Sequence, residues 1–355
     1  MLSKKVPLHY LLLSSLVASA ITFLYLKHES VVNNDAVETE TSATTPAQTV
    51  AGSETEYGIK RLSGFKYVAP IIAAGPTKES SQFTQLKGDI TNLINKEKAT
   101  GTVSSVSVYL KSFSSSNWMT INQEERYAPG SLLKVAVLVT YLRMSEGIPN
   151  LLKKEMVYHG DRRFKFPVEH YMSDTVREGR KYTVAELLRY MIKHSDNKAT
   201  VFLENYMDTT IFKRVFSDIG MKDIHFDDAN YTLSVKEYSR LMKALYNAGY
   251  LGANNSEFAI SMLTEGTFRE GILKELPRTT VVAHKFGEAG DQYHHELHES
   301  GIVYLNNNPY LLTVMTKGTD WDRLSETISH ISKLVYDKTL VPLDGAPTYK
   351  IQAEK

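Results

Sequence analysis

Apolar residues are densest near the start of the chain, where Val6 to Leu26 is broken only by His9 and a few small polar residues. At 1.5 Å per residue, these roughly 21 positions span a bilayer core. The pattern predicts a cytoplasmic stub at 1–5 and a transmembrane anchor, or uncleaved signal, at 6–26. Ala18-Ser19-Ala20 resembles a signal-peptidase site, but Ile21 to Leu26 carries the apolar stretch beyond a secretory core of about 7–15 residues. Residues 27–58 are rich in Thr, Ala, Ser, Glu and Val without period, bury too little to fold, and predict a disordered tether. Residues 59–81 form a transition, in which Tyr67 to Ile72 is apolar enough to dock as an extended strap.

Regular periods begin after this point. Leu86, Ile90, Leu93 and Ile94 share one stripe of an amphipathic helix over Phe83–Lys98. Val103–Leu110 reads as a strand and Trp118–Ile121 as its partner across a serine-rich turn. Ser131 to Met144 has the length and apolar density of a buried helix. Helical patterns follow at Thr183–Lys193, Ala199–Met207, Thr210–Phe216, Ser234–Tyr246 and Glu257–Leu263. Strands return at Val281–Phe286, Gly301–Leu305 and Tyr310–Thr316, before a helix at Asp322–Tyr336. Strands at both ends with helices between predict an α/β (α+β) domain at 82–340, with an antiparallel sheet built from both chain ends, flanking helices and an inserted all-helical lobe. A tail at 341–355 remains.

Composition narrows the chemistry. Within 355 residues the formal net charge is +1 and there are no cysteines. Disulfides, thiolate metal sites and a cysteine nucleophile are excluded. With charge nearly balanced and no basic stripe interleaved with aromatics visible, no nucleic-acid partner is expected.

Three short motifs carry candidate chemistry. Ser131 and Lys134, three residues apart, lie on one face where Pro129-Gly130 gives way to the apolar helix. A serine hydroxyl becomes nucleophilic when a nearby base takes its proton, and a desolvated lysine can be that base. The free backbone N–H groups of a helix start suit a developing oxyanion. The same spacing recurs at Ser63/Lys66 and Ser195/Lys198, so the motif alone also fits a capping serine and an ordinary helical lysine. His194-Ser195-Asp196-Asn197 offers a second hydroxyl beside a carboxamide, or simply a helix end followed by a cap. Lys285-Phe286-Gly287-Glu288 ends an apolar strand with a cation for a substrate carboxylate, a glycine that admits a close backbone, and a following N–H for an oxyanion.

In this order the three motifs resemble the penicillin-binding protein and serine β-lactamase superfamily, and the single-lobe layout is most similar to class A β-lactamases. The likeness runs from about Phe83 to Tyr336. It implies a β-lactamase-like fold with Ser131 as acylated nucleophile, Lys134 as general base and Ser195 as proton relay. It further implies Asn197 as partner of substrate and lysine, and Lys285, Gly287 and Glu288 as the substrate-facing strand end. No cofactor or metal is required. The implied substrate is a β-lactam or a peptidoglycan stem peptide, met by a single-pass membrane protein, monomeric, whose catalytic domain is extracytoplasmic. A D,D-peptidase and an inactive cell-wall-binding module are the alternatives.

Two departures shape the expectation. No Glu-x-x-Leu-Asn pattern, whose glutamate activates the deacylating water in class A enzymes, occurs between Lys198 and Thr232. Asp227, Asp228 and Asn230 are the nearest polar residues and read as a turn. Phe286 stands where the family usually has a hydroxyl, although strand alternation would turn its ring away. Together they predict retained acylation and slow deacylation. His294, His295 and His298 with Glu296 and Glu299 form a further cluster, expected to be a surface or substrate-rim loop rather than a zinc site.

Overall fold

The computed structural model describes residues 57–62, 71–160, 170–171, 173–221, 231–305 and 308–340, all within the unit Glu54–Lys355. The expected anchor at 6–26, the tether up to residue 56, Asp227, Asp228 and Asn230, and the tail at 341–355 lie outside the described residues. Among the described residues no helix is long and apolar enough to cross a membrane.

β1 (Tyr57–Arg61) and β2 (Ile71–Pro76) pair antiparallel, so β1 opens inside the stretch expected to be tether. Ile72 is buried, as the strap expectation requires. Helix α1 (Thr84–Lys98) follows and buries Leu86, Ile90 and Ile94. Next come β3 (Val103–Ser112) and β4 (Trp118–Ile121). A 3-10 turn, Gly130–Leu133, leads into α2 (Lys134–Gly147), which is buried on nearly every side. The sequence placed Ser131 at a helix start; the tighter turn precedes that helix, which begins at Lys134.

A short pair, β5 (Glu155–Val157) and β6 (Lys181–Thr183), has no periodic signature at three residues each and was not foreseen. Helices α3 (Val184–Lys193), α4 (Asn197–Glu204), α5 (Thr209–Ile219), α6 (Val235–Tyr246) and α7 (Ala253–Thr264) make the lobe. Their starts are written in the sequence. Thr183 with Glu186 and Ser234 with Glu237 form capping boxes on α3 and α6, and the Asp208 carboxylate accepts Thr210 and Ile211 N–H groups at 2.8 and 3.1 Å on α5.

β7 (Val281–Gly290), β8 (His295–Tyr304) and β9 (Tyr310–Gly318) return to the sheet before α8 (Trp321–Leu340). The order is β4-β3-β9-β8-β7, antiparallel throughout. β3 from one end of the chain pairs with β9 from the other, from Val103↔Gly318 to Ser112↔Tyr310. One sheet face packs with α1 and α8 around Val108, Leu312, Val314 and Ile328. The other packs on the lobe through Ala283, Ile302, Leu311 and Met315.

From His295 on, the histidine cluster is built into the sheet and is not a surface or substrate-rim loop. β7 and β8 are longer than the apolar pattern suggested, because polar residues keep the ladder hydrogen bonds past the core, and His295 and His298 are strand residues. His298 is fully buried. Its Nε2 donates to Ala128 O at 3.0 Å and its Nδ1 accepts from Thr316 N–H at 3.2 Å. Its ring meets Tyr127 edge-on at 5.3 Å. It braces the chain just before the 3-10 turn, while His295 stacks on Trp321.

Candidate active site

The Ser131 turn is pressed against the end of β7. Gly130 has φ +50°, and any Cβ on it would strike the Glu288 carbonyl. A Cβ on Gly287 would come within 2.6 Å of Pro129 O and 2.8 Å of Leu132 N. Both positions therefore demand glycine for close backbone approach. The turn is held from behind by Tyr238, whose buried hydroxyl donates to Leu132 O at 3.1 Å. This places the half-buried Ser131 alongside the Glu288 backbone.

Three acceptors surround Lys134, which is 4% exposed. Its Nζ donates to Asn197 Oδ1 at 2.7 Å, to Ser195 Oγ at 3.1 Å and to the Ser195 carbonyl. Ser195 sits in the left-handed region at φ +54°, a conformation that costs roughly 1 kcal/mol or more for a residue with a Cβ. Neighbours on both sides hold it there. His194 closes α3, and Asp196 caps α4 through Lys198 N–H at 2.9 Å while its carboxylate also accepts Val176 N–H at 2.8 Å and Thr175 Oγ1 at 3.0 Å. The capping and the chemical readings of this tripeptide thus coexist, with Asp196 as the cap.

Lys285 also reaches Ser195. Its Nζ donates to Ser195 Oγ at 2.9 Å and to Phe286 O at 2.8 Å. Lys134, Ser195, Asn197 and Lys285 are therefore one hydrogen-bonded group around the Ser195 hydroxyl. Phe286 turns to the other sheet face, stacking on Phe268 at 4.3 Å and meeting Tyr171 edge-on at 6.2 Å. The Glu288 carboxylate is used by the chain itself, accepting the N–H groups of His170 and Tyr171 at 2.9 and 3.0 Å. Its side chain therefore latches a loop; its backbone lines the site.

Several neighbours were not foreseen. Glu204, at the end of α4, has its carboxyl raised by burial, with the Lys134 charge opposing that rise. His284 and Glu299 form a buried pair at 2.6 Å behind Lys285, and Glu299 also accepts Ile272 N–H at 2.6 Å. Tyr238 and Tyr171 belong to the same group. Glu204, His284, Tyr171 and Tyr238 stand in apolar or mixed stretches whose period announces burial and not a polar partner, whereas Glu299 belongs to the polar run expected to be a loop. Among the described residues no cluster of three or more metal-ligating side chains occurs.

Residues 85–339 match the model of a family described as the beta-lactamase enzyme family. No curated protein matches the chain. Solved structures with the same fold include a beta-lactamase from Sphaerobacter thermophilus, at 15% identity and TM-score 0.60, covering 72% of this chain and 98% of that one. A beta-lactamase from Chitinophaga pinensis matches at 20% identity and TM-score 0.60, over 70% and 99%. PBP-A matches at 18% identity and TM-score 0.60, over 74% and 98%, and so does an acyl-enzyme complex of a PBP-A mutant with penicillin G, at TM-score 0.59, over 71% and 96%. The mixed architecture with its antiparallel sheet is that of the β-lactamase fold.

Proposed function

The chain belongs to the beta-lactamase enzyme family, and from that premise we propose that it opens β-lactam amides through an acyl-Ser131 intermediate that deacylates slowly. Family and fold support a serine hydrolase of the β-lactamase and penicillin-binding type. The observation that carries the finer reading is the single Ser195 hydroxyl shared by Lys134 and Lys285.

Lys134 Nζ and Lys285 Nζ meet the same Ser195 hydroxyl, so a proton can pass between either amine and that oxygen. Lys134 is the amine next to Ser131 on the chain, and as a neutral base it takes the Ser131 proton while Oγ attacks the carbonyl carbon. The backbone N–H groups of Ser131 and Glu288 receive the oxyanion. As the C–N bond breaks, the Ser195 hydroxyl gives its proton to the leaving nitrogen and regains one from Lys134. Lys285 and Asn197 hold the substrate carboxylate and amide. Hydrolysis of the ester then needs an activated water. The sequence between Lys198 and Thr232 lacks the glutamate motif that class A enzymes use for this, hence the slow second step.

That same lack favours a second reading, a D,D-peptidase on peptidoglycan stem peptides, for which a long-lived penicillin adduct is the normal outcome. Either reading places the domain outside the membrane on an anchor at 6–26. Turnover tests the proposal. Slow but measurable nitrocefin hydrolysis supports it; a stable fluorescent-penicillin label with no hydrolysis, together with D-Ala release from a stem peptide, assigns the second reading.

A further inference from the structure

A basic stripe with aromatic partners is not legible in the sequence, yet the fold assembles one far from Ser131 in the chain. Lys236, Arg240 and Lys243 fall at i, i+4 and i+7 of α6 and share a helix face roughly 10 Å long. Lys236 Nζ lies 4.5 Å over the Trp118 ring, and Lys243 Nζ lies 5.1 Å over the Tyr109 ring and 3.2 Å from its hydroxyl. Arg240 donates to the Gly220 carbonyl at the end of α5. Lys111 joins from β3, donating to Ser116 O at 2.9 Å, and Lys60 from β1 flanks Arg240.

Every acceptor that these α6 and β3 cations meet among the described residues is a neutral oxygen or a ring. Of the neighbouring carboxylates among the described residues, Asp218 acts on Lys60 and takes a hydrogen bond from Tyr250 at 3.2 Å, and Glu237 of α6 pairs with Arg126 at 3.1 Å. Burial, with the charges of Lys111, Arg240 and Lys236, pushes Lys243 down to about 7. Burial lowers Lys111 and Lys60 as well, so the positive charge is concentrated on Lys236 and Arg240, and among the described residues no carboxylate forms an ion pair with the cations of this face.

We propose that this face of α6, bounded by β3 and the β1–β2 hairpin, binds a linear polyanion of phosphate-like charge density laid along the helix. A row of cations along the helix matches repeating charges better than one small ion. A flat bilayer reaches the tips of protruding lysines, but Lys236, Arg240 and Lys243 are only half-exposed and lie against the rings and carbonyls around them, where a narrow chain follows the helix more closely. Nucleic-acid recognition would add stacked bases. Trp118 and Tyr109 are 7% and 2% exposed, so neither ring is open to a base and recognition is by charge alone.

The test is calorimetric titration of the full chain with sodium polyphosphate near pH 7.5, in buffers of different ionisation enthalpy. Binding is expected at low salt, with affinity falling steeply as salt rises. It should take up protons, because an anion beside Lys243 restores its charge. Lys236→Gln with Arg240→Gln should weaken binding at least about tenfold and lower the salt slope by about one per cation removed. Lys236→Gln alone, which removes only a ring contact and is compatible with folding, should cost about threefold. Lys243→Met should abolish the proton uptake and leave penicillin labelling of Ser131 unchanged. Absence of polyphosphate binding, undiminished binding by the Lys236→Gln protein, or binding to phosphatidylglycerol vesicles but not to polyphosphate would each overturn the proposal.

Discussion

The Ser195 hydroxyl stands 3.1 Å from Lys134 Nζ and 2.9 Å from Lys285 Nζ, and so joins the two buried amines of the site through one oxygen. Ser195→Ala removes that oxygen and the proton path to the leaving nitrogen. Acylation by penicillin should slow by about 100-fold or more, the usual scale for a positioned acid or base. Stopped-flow labelling measures it, and a loss below about fivefold would take the relay role away from Ser195.

Lys134→Ala tests the base in the same assay. A loss of at least about 100-fold is expected, with the fold retained by circular dichroism. A much smaller loss reassigns proton abstraction to another group.

Gly287→Ala probes the contact between β7 and the nucleophile's turn. A methyl group there meets Pro129 O at 2.6 Å and Leu132 N at 2.8 Å, so the turn must shift. Misplacement by about 1 Å costs roughly 100-fold in a positioned reaction. The acylation rate should fall on that order, with the melting temperature lowered as well by the forced backbone shift; an unchanged rate would separate this contact from catalysis.

Phe286→Thr restores the hydroxyl type usual for the family, yet no gain in acylation is expected. The ring is buried against Phe268 and Tyr171 on the opposite sheet face. Its loss should lower stability by about 3 kcal/mol through the cavity left behind. Urea unfolding and penicillin labelling together check this, and faster labelling would mean that position 286 faces substrate.

How much of this was legible in the chain follows from what each residue announces locally. Capping boxes at Thr183 and Ser234 and the apolar stripes of α1 and α6 are local signals, and those helices formed where the pattern placed them. The grouping of Lys134, Ser195, Asn197 and Lys285 rested on motif order. His298 and Glu299 misled because alternating polar residues in β8 resemble a loop, while their burial depends on Tyr127, Ile272 and His284 from other segments. The stripe on α6 was missed for the same reason, since its aromatic partners come from β3 and β4.

Lys243 gives a pH signature. Its folded value is lowered to about 7 from 10.5 by burial and neighbouring cations. Between those values the unfolded chain binds the extra proton, so stability rises with pH across that window and the penalty of charging Lys243 returns below it. Lys243→Met should raise the melting temperature near pH 6 and flatten its dependence between about pH 7 and 9. An unchanged slope in that range would show that Lys243 keeps an ordinary value.

The central claim is covalent capture at Ser131, and intact-protein mass spectrometry after brief penicillin G exposure tests it most directly. One adduct of the full penicillin mass, mapped to the peptide containing Ser131 and persisting for minutes, is the predicted result. An unmodified wild-type protein, or an equal adduct on Ser131→Ala, would contradict it.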